Sequence, residues 1–314
     1  MSNNIAQRVK SEIAGHYPVM LEEVLAIIAP KDGERYLDCT FGGGSHSKAI
    51  LESANCRLDA LDRDPNARNI AQIFAKKYGE RFGFFNTNFS NLNETGFSQY
   101  AGIIMDLGVS SFQLDNAERG FSFMRDGPTD MRMNPECGQS ALELLNTVSQ
   151  RELERILKVY GEEPRYRKVA QAIIDARNTD VLKRTKSLAE LIAKNAAFEK
   201  GKKTNPATRS FQAIRIAVNG ELSEIESALP KAFDALKSGG VLAVISFHSL
   251  EDRIVKRFFK SLAGMPIDAN DNTCQQDRVK KAELLTRKAI VASDVENLEN
   301  PRSRSAKLRA VRKL

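Results

Sequence analysis

The 314-residue sequence predicts an α/β protein with a doubly wound parallel sheet that is interrupted by an inserted all-helical domain. Three observations lead to this fold class. Short apolar strands alternate with helices through the first third of the chain, a purely helical pattern follows over about 139–200, and a strand pattern returns near 239. Alternating strands and helices favour a parallel sheet with crossover helices.

The periodicity of apolar residues places the elements in order. We expect helices at 22–28 and 65–77, and strands at 36–38, 57–62, 82–86 and 102–106. Capping boxes at Ser140, Ser149 and Ser187 each predict a helix start, and a further helix is expected over 165–178. Apolar residues spaced three or four apart predict one long helix over 211–229. A buried strand at 239–247, closing strands near 283–286 and 307–312, and a turn or short helix at 293–300 complete the sheet.

These elements divide the chain into a sheet domain in two parts and one insertion. The parts are 1–114 and 206–314, the second with a basic C-terminal tail, and the helical insertion is 115–205. The loop 201–206 closes the insertion. A length of 314 residues agrees with about two domains.

Composition excludes several classes of protein. A content of 42% hydrophobic and 28% charged residues is typical of a soluble globular protein. We see no apolar signal core at the start and no run of membrane-spanning length, so we expect a cytoplasmic protein without a membrane partner. The four cysteines lack C-x-x-C spacing, which indicates neither a zinc site nor a disulfide framework, and we expect no metal. The oligomeric state stays open.

The formal charge of +7 is unevenly distributed. Residues 151–215 hold 16 Lys/Arg against 8 Asp/Glu, and residues 301–314 hold 6 Lys/Arg and no acid. Two basic regions on an otherwise acidic body are typical of a protein that binds a polyanion. The alternative is a solvated helix face together with a disordered basic tail.

The most informative segment is 36–46, in which an apolar strand runs into a turn at Gly42, Gly43 and Gly44. Glycine lets the backbone of such a turn approach a ligand closely. The second strand ends at Asp62, where a carboxylate can accept hydrogen bonds from ribose hydroxyls. The pair predicts an adenosine-containing cofactor at the carboxyl edge of the sheet.

Two cofactors remain open on this evidence. A nicotinamide dinucleotide calls for G-x-G-x-x-G, but Ser47 stands where the third glycine belongs. Asp38 and Asp106, at the ends of the first and fourth strands, would repel a pyrophosphate. They would suit a ligand with an ammonium and a sulfonium, which favours S-adenosylmethionine.

The segment that follows the fourth strand supplies candidates for substrate contact. Asp106 and Ser110 leave that strand where ligands bind in open α/β sheets, and we expect them to orient the reacting group. The next segment is rich in charged and aromatic residues without periodicity, which is typical of a loop that lines a site; its candidates are Arg119, Phe121, Phe123 and Arg132. The two phenylalanines have core packing as their alternative. His248 follows the fifth strand and either contacts substrate or caps a helix.

Together these segments resemble the bacterial 16S ribosomal RNA (cytosine-N4)-methyltransferase family of the MraW type. The resemblance covers nearly the whole chain and is carried by segments 16–20, 38–42, 62–65, 106–111, 113–115, 117–128, 130–133, 206–213, 245–257 and 300–305. It implies a class I, Rossmann-like methyltransferase that uses S-adenosylmethionine to methylate N4 of a cytosine in the decoding region of 16S rRNA, within the small ribosomal subunit. The insertion would then face the RNA.

The resemblance also implies which residues contact the cofactor: Gly44, Ser45, His46, Asp62, Phe89, Asp106 and Gln113. The chain departs from the family pattern at two places. Gly43 and Ser45 stand in a turn that usually reads Gly-Arg-Gly-Gly-His, and Phe112 stands where the family usually has proline. At Ser45 the backbone N–H can contact the cofactor whatever the side chain is.

Methylation of an exocyclic amine needs the nitrogen in line with the methyl donor and its hydrogens held by acceptors. Methylation at carbon 5 of cytosine would need a cysteine nucleophile, and no cysteine directly follows the fourth strand. The base must leave its stack, and Phe121 or Phe123 could receive it. The alternative functions are a non-catalytic small-subunit assembly factor that binds RNA, and a nicotinamide-dependent oxidoreductase.

Overall fold

A computed structural model describes residues 18–96, 98–197 and 205–314. His16 and Tyr17 of the resembling segments, and residues 201–204 of the predicted loop, lie outside this range. The chain forms two compact units, which are the residues up to Gly108 together with Leu222–Leu314, and the residues Val109–Glu221. None of the helices in the described ranges has the length and apolarity that crossing a membrane requires.

The first unit contains an eight-stranded sheet. Its strands are β1 (Arg35–Asp38), β2 (Arg57–Leu61), β3 (Phe82–Phe85), β4 (Tyr100–Asp106), β5 (Leu236–Ser246), β6 (Ala282–Leu284), β7 (Ile290–Val291) and β8 (Lys307–Lys313). The order is β3-β2-β1-β4-β5-β8-β6, and β7 also pairs with β8. The first five strands are parallel, whereas β8 runs antiparallel to β5. The predicted doubly wound α/β sheet is therefore confirmed.

Helices cover both faces of this sheet. They are α1 (Leu21–Ile28), α2 (Ser45–Ser53), α3 (Ala67–Tyr78), α10 (Glu221–Asp234), α11 (Ser249–Leu262) and α12 (Asp294–Glu299). One apolar core includes Val24, Ile50 and Phe74 from the first three helices. The other core includes Ile225 of α10 and Phe259 of α11. The strand β5 is buried on both faces, which explains its continuous apolar run 241–245.

The second unit is helical. It contains α4 (Ser111–Asp115), α5 (Ala141–Thr147), α6 (Gln150–Val159), α7 (Tyr166–Asp175), α8 (Thr185–Asn195) and α9 (Thr208–Asn219). Its own core joins residues such as Leu145, Leu157, Ile173 and Ile192. Ser140 and Glu143 form the expected capping box, with N–H donors satisfied in both directions.

Three expectations about elements need correction. The predicted helix over 211–229 is two helices, because Gly220 takes the left-handed conformation at φ 61° and so ends α9. The predicted start at Ser187 is wrong: α8 begins at Thr185, and the Ser187 hydroxyl donates to the carbonyls of Val181 and Arg184.

The closing strand predicted near 307–312 is confirmed as β8. Because Leu308, Ala310 and Val311 are buried in the sheet, the segment named as a basic C-terminal tail is not a tail. Its cations are satisfied locally. Arg309 pairs with Asp252 at 2.7 Å, and Arg312 pairs with Glu283 at 3.2 Å.

The division between the units also lies elsewhere than expected. It falls after Gly108 and after Glu221, rather than after 114 and 205. The reason is α9, whose side chains Phe211, Ala213 and Ile214 belong to the core of the helical unit. A helix that continued into α10 would have belonged to the sheet.

Candidate functional site

The strand order reverses between β1 and β4. From β1 the chain adds β2 and β3 on one side and then crosses to β4 on the other. Ligands of open α/β sheets bind at the carboxyl ends of strands at such a switch point. Asp38 ends β1 and Asp106 ends β4, while Asp62 directly follows β2. Three carboxylates therefore lie at the edge where a ligand is expected.

The glycine turn connects β1 to α2 at this edge. Gly42 and Gly44 have positive φ angles of 50° and 75°, which glycine adopts without strain. The Gly42 N–H donates to Asp62 Oδ2 at 2.6 Å, so the turn is tied to the end of β2. A Cβ on Gly44 would lie 2.5 Å from Phe74 Cζ, so a side chain there would force Phe74 or the turn to shift. Ser45 begins α2, where the first N–H groups of a helix lack partners within it.

Asp38 is 2% exposed and is held by its neighbours. Its Oδ1 accepts the Thr40 N–H at 3.0 Å, and its Oδ2 accepts the Ser47 hydroxyl at 2.7 Å. Burial raises the pKa of Asp38, against the opposing effects of His46 and these hydrogen bonds.

Sequence reasoning missed two supports of the site, Thr40 and Ser47. The Thr40 hydroxyl accepts the backbone N–H of Asp106 at 2.6 Å and lies 3.5 Å from Asp38 Oδ1. It thus links the ends of β1 and β4. The signal in the sequence was a hydroxyl residue two positions after a strand-ending aspartate, where a turn of this kind often forms.

His46 is 7% exposed and lies between the turn and Asp106. Its Nε2 is 3.0 Å from the carbonyl oxygen of Val19, to which it donates when that nitrogen carries the proton. Its Nδ1 then faces Asp106 Oδ2 at 3.9 Å, too far for a hydrogen bond. Burial lowers the pKa of His46, although the charge of Asp38 and the contact with the Val19 carbonyl oppose that shift.

Asp106 lies among other acids at this edge. Burial raises its pKa well above the usual range, and the carboxylates of Asp38, Glu251 and Glu296 raise it further. Its Oδ1 is shielded from solvent and has no hydrogen-bond partner within the described part of the chain. A buried acceptor in that state is costly unless a ligand satisfies it. A cationic ligand would do so and would favour the ionised form.

Asp62 is partly exposed, and burial raises its pKa to about 6. Each carboxylate oxygen accepts one backbone N–H, from Gly42 and Asp64. A carboxylate has about four acceptor positions, so two remain for the hydroxyls of a ribose. The side chain of Asn86 fixes the backbone here by donating to the Asp62 carbonyl at 2.7 Å.

The sheet unit thus brings five of the predicted cofactor residues to one edge: Gly44, Ser45, His46, Asp62 and Asp106. Phe89 begins a short 3₁₀ helix after β3 and packs partly against the core. The unpartnered Asp106 oxygen and the spare capacity of Asp62 fit a ligand that combines a cation with a ribose. The predicted cofactor contacts themselves stay predictions.

Ser110 and Gln113 lie in the helical unit, where they form a capping box at the start of α4. The Ser110 hydroxyl accepts the Gln113 N–H at 3.2 Å, and Gln113 Oε1 accepts the Ser110 N–H at 3.0 Å. Gln113 is 5% exposed. Because the cap already uses one lone pair of Ser110, a role for its oxygen in orienting an amine depends on the second lone pair. That role stays a prediction.

The four candidates in the following loop all make structural contacts. Arg119 donates to the carbonyls of Arg132 and Met133 at 3.0 and 2.9 Å. Arg132 forms a two-point ion pair with Asp130 at 2.9 and 2.7 Å. Phe121 is buried beneath the Arg119 guanidinium, and the ring of Phe123 meets Phe211 edge to face at 4.9 Å. These contacts support the packing alternative for the phenylalanines, and contact with a substrate stays untested.

His248 caps α11. Its Nδ1 accepts the Glu251 N–H at 3.4 Å, and Glu251 Oε2 accepts the His248 N–H at 3.2 Å. The capping alternative is therefore present in the structure. A contact between His248 and substrate remains a prediction.

The two buried cysteines are poor candidates for a nucleophile. Cys39 and Cys56 are buried, and burial raises the pKa of Cys39 well above its usual value and that of Cys56 to about 11. A thiol in that state is a poor nucleophile, since the thiolate is the reactive form. Cys137 and Cys274 are exposed and lie far from β4 in the sequence.

Known proteins resemble this chain along its length. The family model described as the MraW methylase family matches residues 13–314. The ribosomal RNA small subunit methyltransferase H of Rickettsia massiliae (strain Mtu5) is 49% identical over 309 residues, which cover 96% of this chain and 98% of that protein. Its counterpart from Rickettsia felis is 48% identical over 307 residues, with 95% and 98% covered. A crystal structure of an rRNA methylase from Streptococcus thermophilus overlaps at a TM-score of 0.44 and 10% identity, covering 94% and 96% of the two chains, too loosely to bear on function.

Proposed function

The chain belongs to the MraW methylase family, and on that premise we propose that it methylates N4 of a cytosine in the decoding region of 16S rRNA. Its cofactor is S-adenosylmethionine, which supplies an electrophilic methyl group on a sulfonium when bound. The small-subunit RNA substrate is suggested by relatives named ribosomal RNA small subunit methyltransferase H. The cytosine and its N4 atom follow from the motif resemblance.

One observation of the structure supports this proposal above the others. Asp106 is a carboxylate with a raised pKa and an unsatisfied buried oxygen, at the switch point of the sheet. We infer that it serves both reactants. It offers negative charge to a cationic methyl donor, and it can accept a hydrogen from the amine that is methylated. A raised pKa suits an acceptor that must take up a proton near neutral pH.

The other residues of this edge bind the cofactor and position the strand ends. The Gly42–Gly44 turn lets the backbone approach the ligand closely, and the first N–H groups of α2 lack partners within that helix. Asp62 offers two free acceptor positions to ribose hydroxyls. Thr40 keeps the ends of β1 and β4 in register through its hydrogen bonds with Asp106 and Asp38, and His46 lies beside Asp106. We assign the helical unit, with its excess of cations, to RNA.

A labelling experiment tests the proposal. Small ribosomal subunits from cells that lack this protein would be incubated with it and with S-adenosylmethionine that carries a deuterated methyl group. Nucleosides would then be analysed by mass spectrometry. We expect N4-methylcytidine with the heavy methyl group at one position. Label on carbon 5 or on another nucleoside would contradict the proposed atom.

The same experiment separates the alternative functions. A non-catalytic assembly factor would bind subunits equally well with and without the cofactor and would transfer no label. An oxidoreductase would bind a reduced nicotinamide cofactor, and the protein is expected to show no such binding.

A further inference from the structure

A cluster of cations and aromatic rings lies between α6 and α7 of the helical unit. Lys158 Nζ and the Arg167 guanidinium carbon each lie 5.5 Å from the centroid of the Tyr166 ring. We call Lys158, Tyr166 and Arg167 the Tyr166 patch. One helical turn before Lys158, Arg155 lies 5.1 Å from the Tyr160 ring. Both cations of the patch are exposed, and Tyr166 is half-buried.

The acids around the patch are already engaged. Glu152 pairs with Arg155 at 2.6 Å, and Glu154 accepts a hydrogen bond from Gln150. Glu163 is 2% exposed and accepts the backbone N–H groups of Arg165 and Ala197. Glu162 also has a partner. Lys158 and Arg167, by contrast, make no ion pair with any residue that the structure describes.

The position of the cations is unfavourable for the protein alone. Arg165, Arg167 and Lys168 lie at the start of α7, whose first turn contains no acid. The helix dipole places partial positive charge there, so cations at this end oppose it. Three cations close in sequence also repel one another. The surface is therefore arranged for a partner that brings negative charge.

The geometry points to the Tyr166 patch as a docking surface for the phosphodiester backbone of the RNA substrate, an inference that rests on the proposed function. The tyrosine ring restrains the two cations by cation–π attraction, so that less freedom is lost when each meets a phosphate. Two cations without an ion-pair partner among the described residues, both on one exposed surface, can each neutralise a phosphate of a nucleic-acid backbone. The patch would thus add affinity for RNA without choosing the base.

A matched pair of variants tests this inference. Lys158→Gln/Arg167→Gln removes both charges of the patch. Lys186→Gln/Lys194→Gln removes two charges from exposed positions on α8, so the net charge of the unit is the same in both variants. Binding to small ribosomal subunits would be measured by filter retention between about 50 and 200 mM salt, without cofactor. Thermal melts would show that each variant folds.

We expect the patch variant to bind at least about tenfold more weakly at about 150 mM salt, because two phosphate contacts are lost. Its slope of log affinity against log salt should fall by about 1.4–1.8, since each phosphate contributes about 0.7–0.9. The control should change affinity by less than about threefold. The swapped variant Lys158→Arg/Arg167→Lys, which retains both charges, should bind like the unmodified protein.

Three outcomes would overturn the inference. Equal weakening by the patch and control variants would assign the effect to net charge. If a folded patch variant keeps the same slope of log affinity against log salt, the patch makes no contacts with phosphates. If the unmodified protein binds and methylates subunits while the patch variant does the same, only this inference fails. Unmodified protein that binds no subunits and transfers no methyl group would overturn the proposed function as well.

Discussion

Among the described residues, acidic side chains lack counter-ions at the carboxyl edge of the sheet, whereas an acid of the helical unit is paired with a cation. At the carboxyl edge of the sheet, Asp38, Asp62 and Asp106 are crowded together, and burial raises the pKa of each. In the helical unit, Asp130 is matched by Arg132 and has a lowered pKa. The difference shows where stability is given up for function: acids without counter-ions destabilise the free protein and await a cation, whereas paired acids stabilise the fold.

A second contrast separates the two basic regions. The cations Arg309, Arg312 and Lys313 of β8 pair with Asp252, Glu283 and backbone carbonyls. These cations therefore stabilise the fold. Lys158 and Arg167 of the helical unit lack such partners among the described residues. The number of cations in a segment therefore predicts binding of a polyanion less well than the presence or absence of a partner for each cation. We therefore take the helical unit, rather than β8, as the region whose charge is available to a polyanion.

The largest effect is expected at Asp106. Asp106→Asn keeps the shape of the side chain but removes its charge and its capacity to take up a proton. Methyl transfer to small subunits should fall by at least about 10²-fold, the usual cost of losing a general base or an electrostatic contact. Steady-state labelling of subunits measures this. Turnover within a few fold of the unmodified enzyme would remove Asp106 from the reaction.

The next effect is expected at the glycine turn. Gly44→Ala forces a Cβ to within 2.5 Å of Phe74 at a φ of 75°. Overpacking and backbone strain should together destabilise the protein by about 2–4 kcal/mol and weaken cofactor binding. Gly33→Ala is the control, because Gly33 has the same φ of 75° and no atom within 4 Å of the added Cβ. Equal melting temperatures of the two variants would show that the turn is not tightly packed.

The stability of the free protein should depend on pH with opposite signs in the two regions. The pKa of Asp62 is raised to about 6. The folded state therefore binds more protons than the unfolded state between about pH 4 and 6, and stability from this group falls as pH rises. Asp62→Asn should gain stability relative to the unmodified protein over this range, by up to about 3 kcal/mol. Urea unfolding without cofactor from about pH 3 to 7 measures the difference. A difference that does not change with pH would contradict the raised pKa.

Asp130 provides the mirror image. Burial acts to raise its pKa, but the hydrogen bonds from the Arg132 side chain and N–H outweigh burial and lower it. Its stabilisation is present above the unfolded pKa and is lost as pH falls through the folded value. Asp130→Asn should thus be less stable than the unmodified protein above about pH 4, and the deficit should shrink as pH falls below that value. The same urea unfolding series measures this deficit. A deficit that grows as pH falls below about 4 would contradict the lowered pKa of Asp130.

The smallest effect separates packing from base stacking at Phe123. Phe123→Leu removes an edge-to-face contact with Phe211, for which we expect a loss of about 0.5–1.5 kcal/mol. That corresponds to a fall in melting temperature of a few degrees. If Phe123 also receives the flipped base, methyl transfer should fall while cofactor affinity is unchanged. Loss of cofactor affinity would argue against stacking.

The sequence predicted the parts of the site that lie in regular positions. Acids at strand ends and glycines in a strand-to-helix turn have fixed places once the sheet order is known, so Asp38, Asp62 and Asp106 were found. Thr40 was missed because a hydroxyl that joins two strand ends leaves no periodic signal. The helix break at Gly220 was missed because the apolar stripe over 211–229 keeps its spacing through it, although α9 and α10 belong to different cores.

Side-chain partners explain what the sequence could not decide. The roles of Arg119 and Arg132 could not be separated from substrate binding, since an arginine that holds loop carbonyls looks the same in a sequence as one that waits for a phosphate. The sequence predicted a closing strand in the C-terminal segment but not the partners of its cations, because the segment 301–314 itself contains no acid. Its partners Asp252 and Glu283 are distant in the chain and adjacent only in the folded sheet.

The most direct test is to count the protons released when S-adenosylmethionine binds. Titration calorimetry at pH 6 in two buffers of different ionisation enthalpy gives that number. The pKa of Asp62 lies at about 6, so a cation that settles among these carboxylates should release a substantial fraction of a proton at pH 6. The contribution of Asp62 to this release should vanish at pH 8, where Asp62 is already ionised. No heat of binding, or uptake of protons at pH 6, would contradict the assignment of this edge to a cationic methyl donor.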